Sequence, residues 1–196
     1  EYDVNSNDWI HTDFVITAHD GYKISLNGMT DGEWTDTLTA SDGTDNGELI
    51  FYVKNTATGV ISTAVTENYK IDKTAPTGEV KLNERTAFQK VLNMITFGLF
   101  FREEVNVQLT AADEASGVKS VQYYKSDTIL MDAEVWAITE WTDNSDFDIK
   151  AKDKDKFIIY VRMEDNAGNV AYIGSDGAIF DTTAPKVIGM KNGKTY

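Results

Sequence analysis

The ten residues EVNVQLTAAD (Glu104–Asp113) alternate: Val105, Val107, Leu109 and Ala111 fall on one side of an extended chain, Asn106, Gln108 and Thr110 on the other. Successive side chains of a strand point to opposite faces, so this period of two predicts a strand with one face on a core and one in water. KFIIYVRMED (Lys156–Asp165) repeats the pattern, with Phe157, Ile159, Val161 and Met163 inward and Lys156, Arg162 and Glu164 toward solvent. In the first half DFVITAHD, YKISLNG, WTDTLTAS and ELIFYVKN are short β-rich runs, separated by turn clusters such as HDG, NGMTDGE and SDGTDNG. Short strands at this spacing predict an all-β chain built as antiparallel sandwiches.

Two stretches break the alternation. AFQKVLNMITF (Ala87–Phe97) places Phe88, Val91, Leu92 and Ile95 on one helical stripe, and MDAEVWAITEW (Met131–Trp141) offers Asp132 as a cap before a helix-compatible turn. Both are expected to be short helical insertions at the edge of a sandwich.

The chain has two prolines, in IDKTAP (Ile71–Pro76) and FDTTAP (Phe180–Pro185). Each hexapeptide follows a strand, a glycine-containing turn and a last strand. The interval is 20 residues from Tyr52 to Asp72 and 21 from Tyr160 to Asp181. Proline donates no ladder hydrogen bond and biases its predecessor toward extended backbone, so it suits a chain leaving one sheet for the next module. The expected organisation is therefore residues 1–76, residues 77–185, and 186–196 as the start of a following module.

Composition bounds the function classes. Hydrophobic residues make up 41% of the 196 and aromatics 11%, enough to build cores. Asp and Glu number 32 against 18 Lys and Arg, a net charge of −14, and both halves share it: residues 1–76 carry 13 acidic and 4 basic side chains, residues 77–185 carry 19 and 11. Such a surface repels phosphate backbones and anionic lipid, so nucleic acid and direct membrane insertion are not expected as partners. With no cysteine there is no disulfide, thiolate metal site or cysteine nucleophile. The longest apolar run, MITFGLFF (Met94–Phe101), falls short of the roughly 18 residues a membrane helix needs.

The junctions DKTAP and DTTAP, AADEASGVKSVQYY (Ala111–Tyr124), EDNAGNVAYIGSDG (Glu164–Gly177), ITFGLFF (Ile95–Phe101) and NGKTY (Asn192–Tyr196) together resemble the immunoglobulin-like repeats of Gram-positive, particularly clostridial, surface proteins. The likeness runs over the whole chain and is stronger in the second half, since the first lacks both SGV and DNAGN. It implies tandem immunoglobulin-like antiparallel β-sandwiches in an extracellular, wall-attached or secreted bacterial protein. It also implies a non-catalytic stalk or adhesive role, as a monomer whose partners are neighbouring modules of the same chain.

Three sets of side chains raise the question of chemistry. Asp113, with Glu114, and Asp165 each end a strand before a glycine turn, where a carboxylate accepts turn N–H groups; the alternative gathers Asp113, Asp165 and Asp181 around Ca²⁺ as oxygen ligands. Trp136 and Trp141 with Tyr123 and Tyr124 are either core packing or a platform on which a glycan, or a host surface protein, would stack. His11 and His19 lack further zinc donors, and no Gly-x-Ser-x-Gly accompanies them. An enzyme is not expected, and calcium is the one cofactor the residues suggest. The reading is a structural or adhesive module; the alternative is a carbohydrate-binding or accessory module of a hydrolase.

Overall fold

A computed structural model describes residues 1–6, 8–29, 32–41, 46–84, 99–101, 104–150, 152 and 154–182. The chain divides into two compact units: Glu1–Gly78 with Ala111–Val121 and Arg162–Ala171, and Glu79–Thr110 with Gln122–Val161 and the chain from Tyr172 onward.

The first seven strands are β1 (Tyr2–Val4), β2 (Trp9–Ile10), β3 (Phe14–Ala18), β4 (Tyr22–Ser25), β5 (Thr37–Ala40), β6 (Asn46–Asn55) and β7 (Val65–Ile71). They form a three-stranded sheet in the order β1-β3-β5 and a four-stranded sheet in the order β2-β7-β6-β4. All pairings are antiparallel except β2 with β7, which run parallel with Ile10 opposite Ile71. Phe14, Ile16, Ile24, Phe51 and Ile71, each at most 1% exposed, form the core, ringed by Tyr2, Leu38, Leu49 and Tyr69. Side chains of this size contribute roughly 1.5–3 kcal/mol each on burial. At the sheet margin Tyr2 packs edge-on against Phe51 and donates its hydroxyl to Glu67.

The strands that follow repeat the plan: β8 (Thr77–Glu84), β9 (Leu99–Phe101), β10 (Glu104–Ala112), β11 (Val118–Ser126), β12 (Thr142–Asp143), β13 (Asp146–Lys150), β14 (Lys156–Asp165), β15 (Val170–Gly174) and β16 (Ala178–Phe180). One sheet runs β8-β10-β13, the other β12-β11-β14-β16-β9, with β15 also on β14. Here β9 takes the part of β2, pairing parallel with β16 so that Phe101 faces Phe180. In both sets the first, third and fifth principal strands share one sheet and the remainder the other, the immunoglobulin-like strand order. Of the residues that alternation assigns inward, Val105, Val107 and Leu109 of β10 and Phe157, Ile159, Val161 and Met163 of β14 are buried, and Ala111 is half-buried.

Helical insertions are not supported. Ala87–Phe97 lies outside the described residues, as do Pro185 and 186–196. At 131–141 the chain makes one five-residue turn of helix, α1 (Asp132–Trp136), and then returns to irregular backbone. Met131 rather than Asp132 sits at its cap position, with its amide donating to Glu134 Oε2 at 2.7 Å. Only Val135 of that turn is buried, too little apolar surface to prolong a helix against the sheet. Among the described residues no helix is long and apolar enough to cross a membrane.

Candidate functional site

The connector from β7 to β8 begins at Asp72, fixed first by its backbone: its amide donates to Ile10 O of β2 at 2.9 Å. Its carboxylate then accepts the Thr74 amide at 2.9 Å and the Ser116 amide at 3.1 Å, and its carbonyl accepts the Asn169 side-chain amide at 2.8 Å. The side chain is wholly buried. These partners belong to the same compact unit, which contains 1–78 together with 111–121 and 162–171.

Each turn that reaches Asp72 is closed by its own aspartate. Asp113 accepts the Gly117 amide at 2.7 Å and the Ser116 hydroxyl at 3.4 Å. Asp165 accepts the Asn169 amide and the Asn169 side-chain amide, both at 2.8 Å. The two turns are tied to one another by Asn166, whose side-chain amide donates to Ser116 O at 2.8 Å and whose backbone amide donates to Gly117 O at 3.0 Å. Both need a left-handed residue, Gly117 at φ 79° and Gly168 at φ 94°, a conformation that a side chain disfavours. His11 completes the set by donating Nδ1–H to Ala167 O at 2.9 Å.

Asp72, Asp113 and Asp165 thus bring carboxylate oxygens within 4.8 Å of one another, with Asp72 and Asp165 fully buried. The donors that face these carboxylates are backbone and side-chain amide N–H groups together with the Ser116 hydroxyl. For Asp72, burial pushes the pKa up, but the Ser116 hydroxyl and the Thr74 and Ser116 amides outweigh it and hold the carboxyl below its ordinary 3.8. A cleft of about 550 Å³, lined by Thr74, Thr77, Asp113 and Glu114 among others, opens beside Asp113. The arrangement can hold three chain segments together, and its oxygens are of the kind that coordinate a hard cation.

Of the expected calcium ligands, Asp113 and Asp165 lie in this cluster. Asp181 belongs to the other unit, is exposed, and donates its amide to Phe101 O at 2.9 Å. Asp72 takes the third place in the cluster, a role not anticipated for it even though IDKTAP stands out in the sequence.

The expected aromatic platform divides. Tyr123 stacks on Phe147 with ring centroids 3.9 Å apart at 17°, while Tyr124, its neighbour on β11, meets Trp141 at 6.5 Å. Trp141 is half-buried, donates Nε1–H to Ile138 O, and also contacts Tyr172 at 5.9 Å. Trp136 stands 65% exposed in α1.

The strand order defines an all-β chain of the immunoglobulin-like sandwich class. No family model matches the chain, and no curated protein does. Among solved structures it is similar to the fibronectin(III)-like modules of Clostridium thermocellum CbhA at 11% identity and TM-score 0.41, covering 97% of this chain and 100% of that one. It is also similar to the chicken CNTN1 FN1-FN3 domains, at 14% identity and TM-score 0.39, over 91% of this chain and 66% of that one. The three N-terminal domains of the bacteriophage RB49 outer capsid protein Hoc follow at 16% identity and TM-score 0.36, over 92% and 58%. Likenesses this distant bear on neither ligand nor partner.

Proposed function

We propose that the chain is a non-catalytic structural module of an extracellular bacterial surface protein, organised as sandwiches over 1–76 and 77–185 with 186–196 opening a following one. One observation carries this reading. Asp72 is bound through its carboxylate, its amide and its carbonyl to Ser116, Ile10 and Asn169, so the segment after β7 is a fixed strut and not a free linker. Buried polar groups satisfied this fully rigidify the elements that carry them. The acidic surface and the repeat-like junctions fit a stalk or spacer held outside the cell. Amide hydrogen exchange tests it: Thr74 and Ser116 should be among the slowly exchanging amides and should lose protection in Asp72→Ala. Rapid exchange at both in the unmodified protein would refute the strut.

A second reading, glycan or host-protein binding through Trp136 and Trp141, is favoured by the exposure of the Trp136 indole. A large aromatic face left in water is the feature that stacks on a pyranose. Screening of the folded protein on a glycan array, with Trp136→Ala and Trp141→Ala as controls, decides between this and a purely mechanical role.

The carboxylate cluster also admits calcium at Asp72, Asp113 and Asp165, favoured by their mutual approach within 4.8 Å. A cation bound only by the folded state raises thermal stability with its concentration. A Tm that climbs with Ca²⁺ and falls with chelator supports a calcium seat, and a Tm indifferent to both leaves the hydrogen-bonded strut as its sole function.

A further inference from the structure

Asn27 and Gly28 stand side by side in the connector from β4 to β5, and their surroundings hold the parts of a covalent reaction. The Asn27 amide donates to Ser25 Oγ at 3.1 Å, and the Asn27 side-chain oxygen accepts the Met29 amide at 3.1 Å, an Asx turn closed over Gly28. Asn27 is exposed, and among the described residues nothing accepts the Gly28 amide or the Asn27 side-chain N–H groups. Gly28 itself lies against the Tyr52 ring, where an added Cβ would come within 2.7 Å of two ring carbons. Packing therefore requires a glycine after Asn27, and a glycine nitrogen is the least shielded nucleophile the backbone offers.

The structure assigns Asn27 as a site of self-modification, at which the Gly28 nitrogen attacks Asn27 Cγ and closes a succinimide ring. The nitrogen gives its proton to solvent, the N–Cγ bond forms, the Cγ–Nδ2 bond breaks, and Nδ2 leaves as ammonia with a proton taken from solvent. Water then opens the ring. Cleavage at Cγ leaves aspartate, and cleavage at the main-chain carbonyl leaves isoaspartate, in which the chain runs through Cβ and Cγ. The Met29 amide assists the first step, since it already donates to the oxygen on which negative charge develops. A second Asn-Gly pair, Asn46 and Gly47, has no such freedom: it lies in β6, in the ladder opposite Lys70 and Tyr69. That ladder has to open before the Gly47 nitrogen can turn toward the preceding side chain. Isoaspartate at position 27 lengthens the main chain by one carbon beside Gly28, where Tyr52 leaves no room for one, so the connector lifts from that ring. Aspartate at the same position adds only a charge. The site is independent of the strut at Asp72.

The test incubates the full folded chain in mildly alkaline buffer and follows the peptides around Asn27 and Asn46 by mass spectrometry, with chromatography separating aspartate from isoaspartate. Asn27 should convert about tenfold or more faster than Asn46 in the folded protein, and the two should convert at nearly equal rates in urea, where no ladder protects either. Equal rates in the folded chain, or an Asn27 that reacts only once urea is added, overturn the site. Asn27→Asp supplies the charge without the inserted carbon. Hydrogen exchange in a peptide covering Tyr22–Met29 should quicken about tenfold in the isoaspartate form and stay unchanged in Asn27→Asp. Exchange in the isoaspartate form that matches Asn27→Asp overturns the lifting of the connector.

Discussion

Asn169 donates its side-chain amide to the carbonyl of Asp72 at 2.8 Å, joining residues 97 positions apart, and the same amide group reaches the Asp165 carboxylate. One side chain thereby serves both the connector and the turn it closes. Asn169→Ala removes donors from a buried acceptor and from a buried carboxylate at once, which should cost about 2–4 kcal/mol. Urea unfolding of the variant measures it; a loss below about 0.5 kcal/mol would mean that Asn169 holds nothing.

Acid should weaken the strut. The folded Asp72 carboxyl titrates below its ordinary 3.8, so its ionised form contributes stability that is complete well above that value and is lost as pH falls through the depressed folded value. The stability difference between the protein and Asp72→Asn is therefore expected to be constant near neutrality and to shrink toward zero below about pH 3.8. Unfolding curves for both across pH 2.5–7, a window set by that ordinary carboxyl value, give the profile. A difference that grows on acidification contradicts it.

His19 should behave in the opposite sense. Hydrogen bonds that its ring N–H groups donate to Glu1 and then Asp3 raise its pKa above 6.5, so the proton it holds favours the folded chain below 6.5 and that contribution fades as pH rises through the folded value. NMR titration of the imidazole should show a midpoint above 6.5 that returns toward it when Glu1 and Asp3 are replaced by Gln and Asn.

Gly168 and Gly59 offer a paired comparison. Both have positive φ, 94° and 73°, but a Cβ on Gly168 would stand 3.3 Å from the His11 ring, while one on Gly59 meets nothing within 4 Å. Gly59→Ala should cost about 1 kcal/mol from backbone strain alone. Gly168→Ala should cost measurably more and weaken the His11 bond to Ala167 O, visible as a changed His11 resonance.

The tryptophans separate by environment. Trp136→Ala, in a side chain 65% exposed, should change stability by no more than about 0.5 kcal/mol. Trp141→Ala, which empties contacts with Tyr124 and Tyr172, should cost about 2–4 kcal/mol. A glycan hit lost in Trp136→Ala without loss of stability would therefore be a direct effect on binding.

Much of the fold was legible because β10 and β14 alternate cleanly, and the same phase placed the aspartates. Extending 105, 107, 109 inward leads to Asp113, and extending 157, 159, 161, 163 leads to Asp165, so both carboxylates lie on the core side of their strands. Asp72 follows Ile71 just past the end of β7, where no period applies, and its partners Ser116 and Asn169 come from turns far along the chain. Sequence order carries no trace of such a meeting. The division of Tyr123 from Tyr124 was available, since adjacent residues of a strand must face apart. The expected Asp132 cap and helix-compatible turn at 131–141 misled because Met131 and Trp136 remain in solvent, and an apolar face with no sheet beneath it does not prolong a helix.

The parallel pairing of β2 with β7 has a mechanical meaning. Tension that enters ahead of Trp9 and leaves through Asp72 pulls these two strands along their length in opposite directions, loading the bonds at Ile10, Ile71 and Asp72 in shear so that they share the force. Antiparallel strands pulled from one end would unzip bond by bond. Under tension the arrangement is a clamp that yields late and all at once.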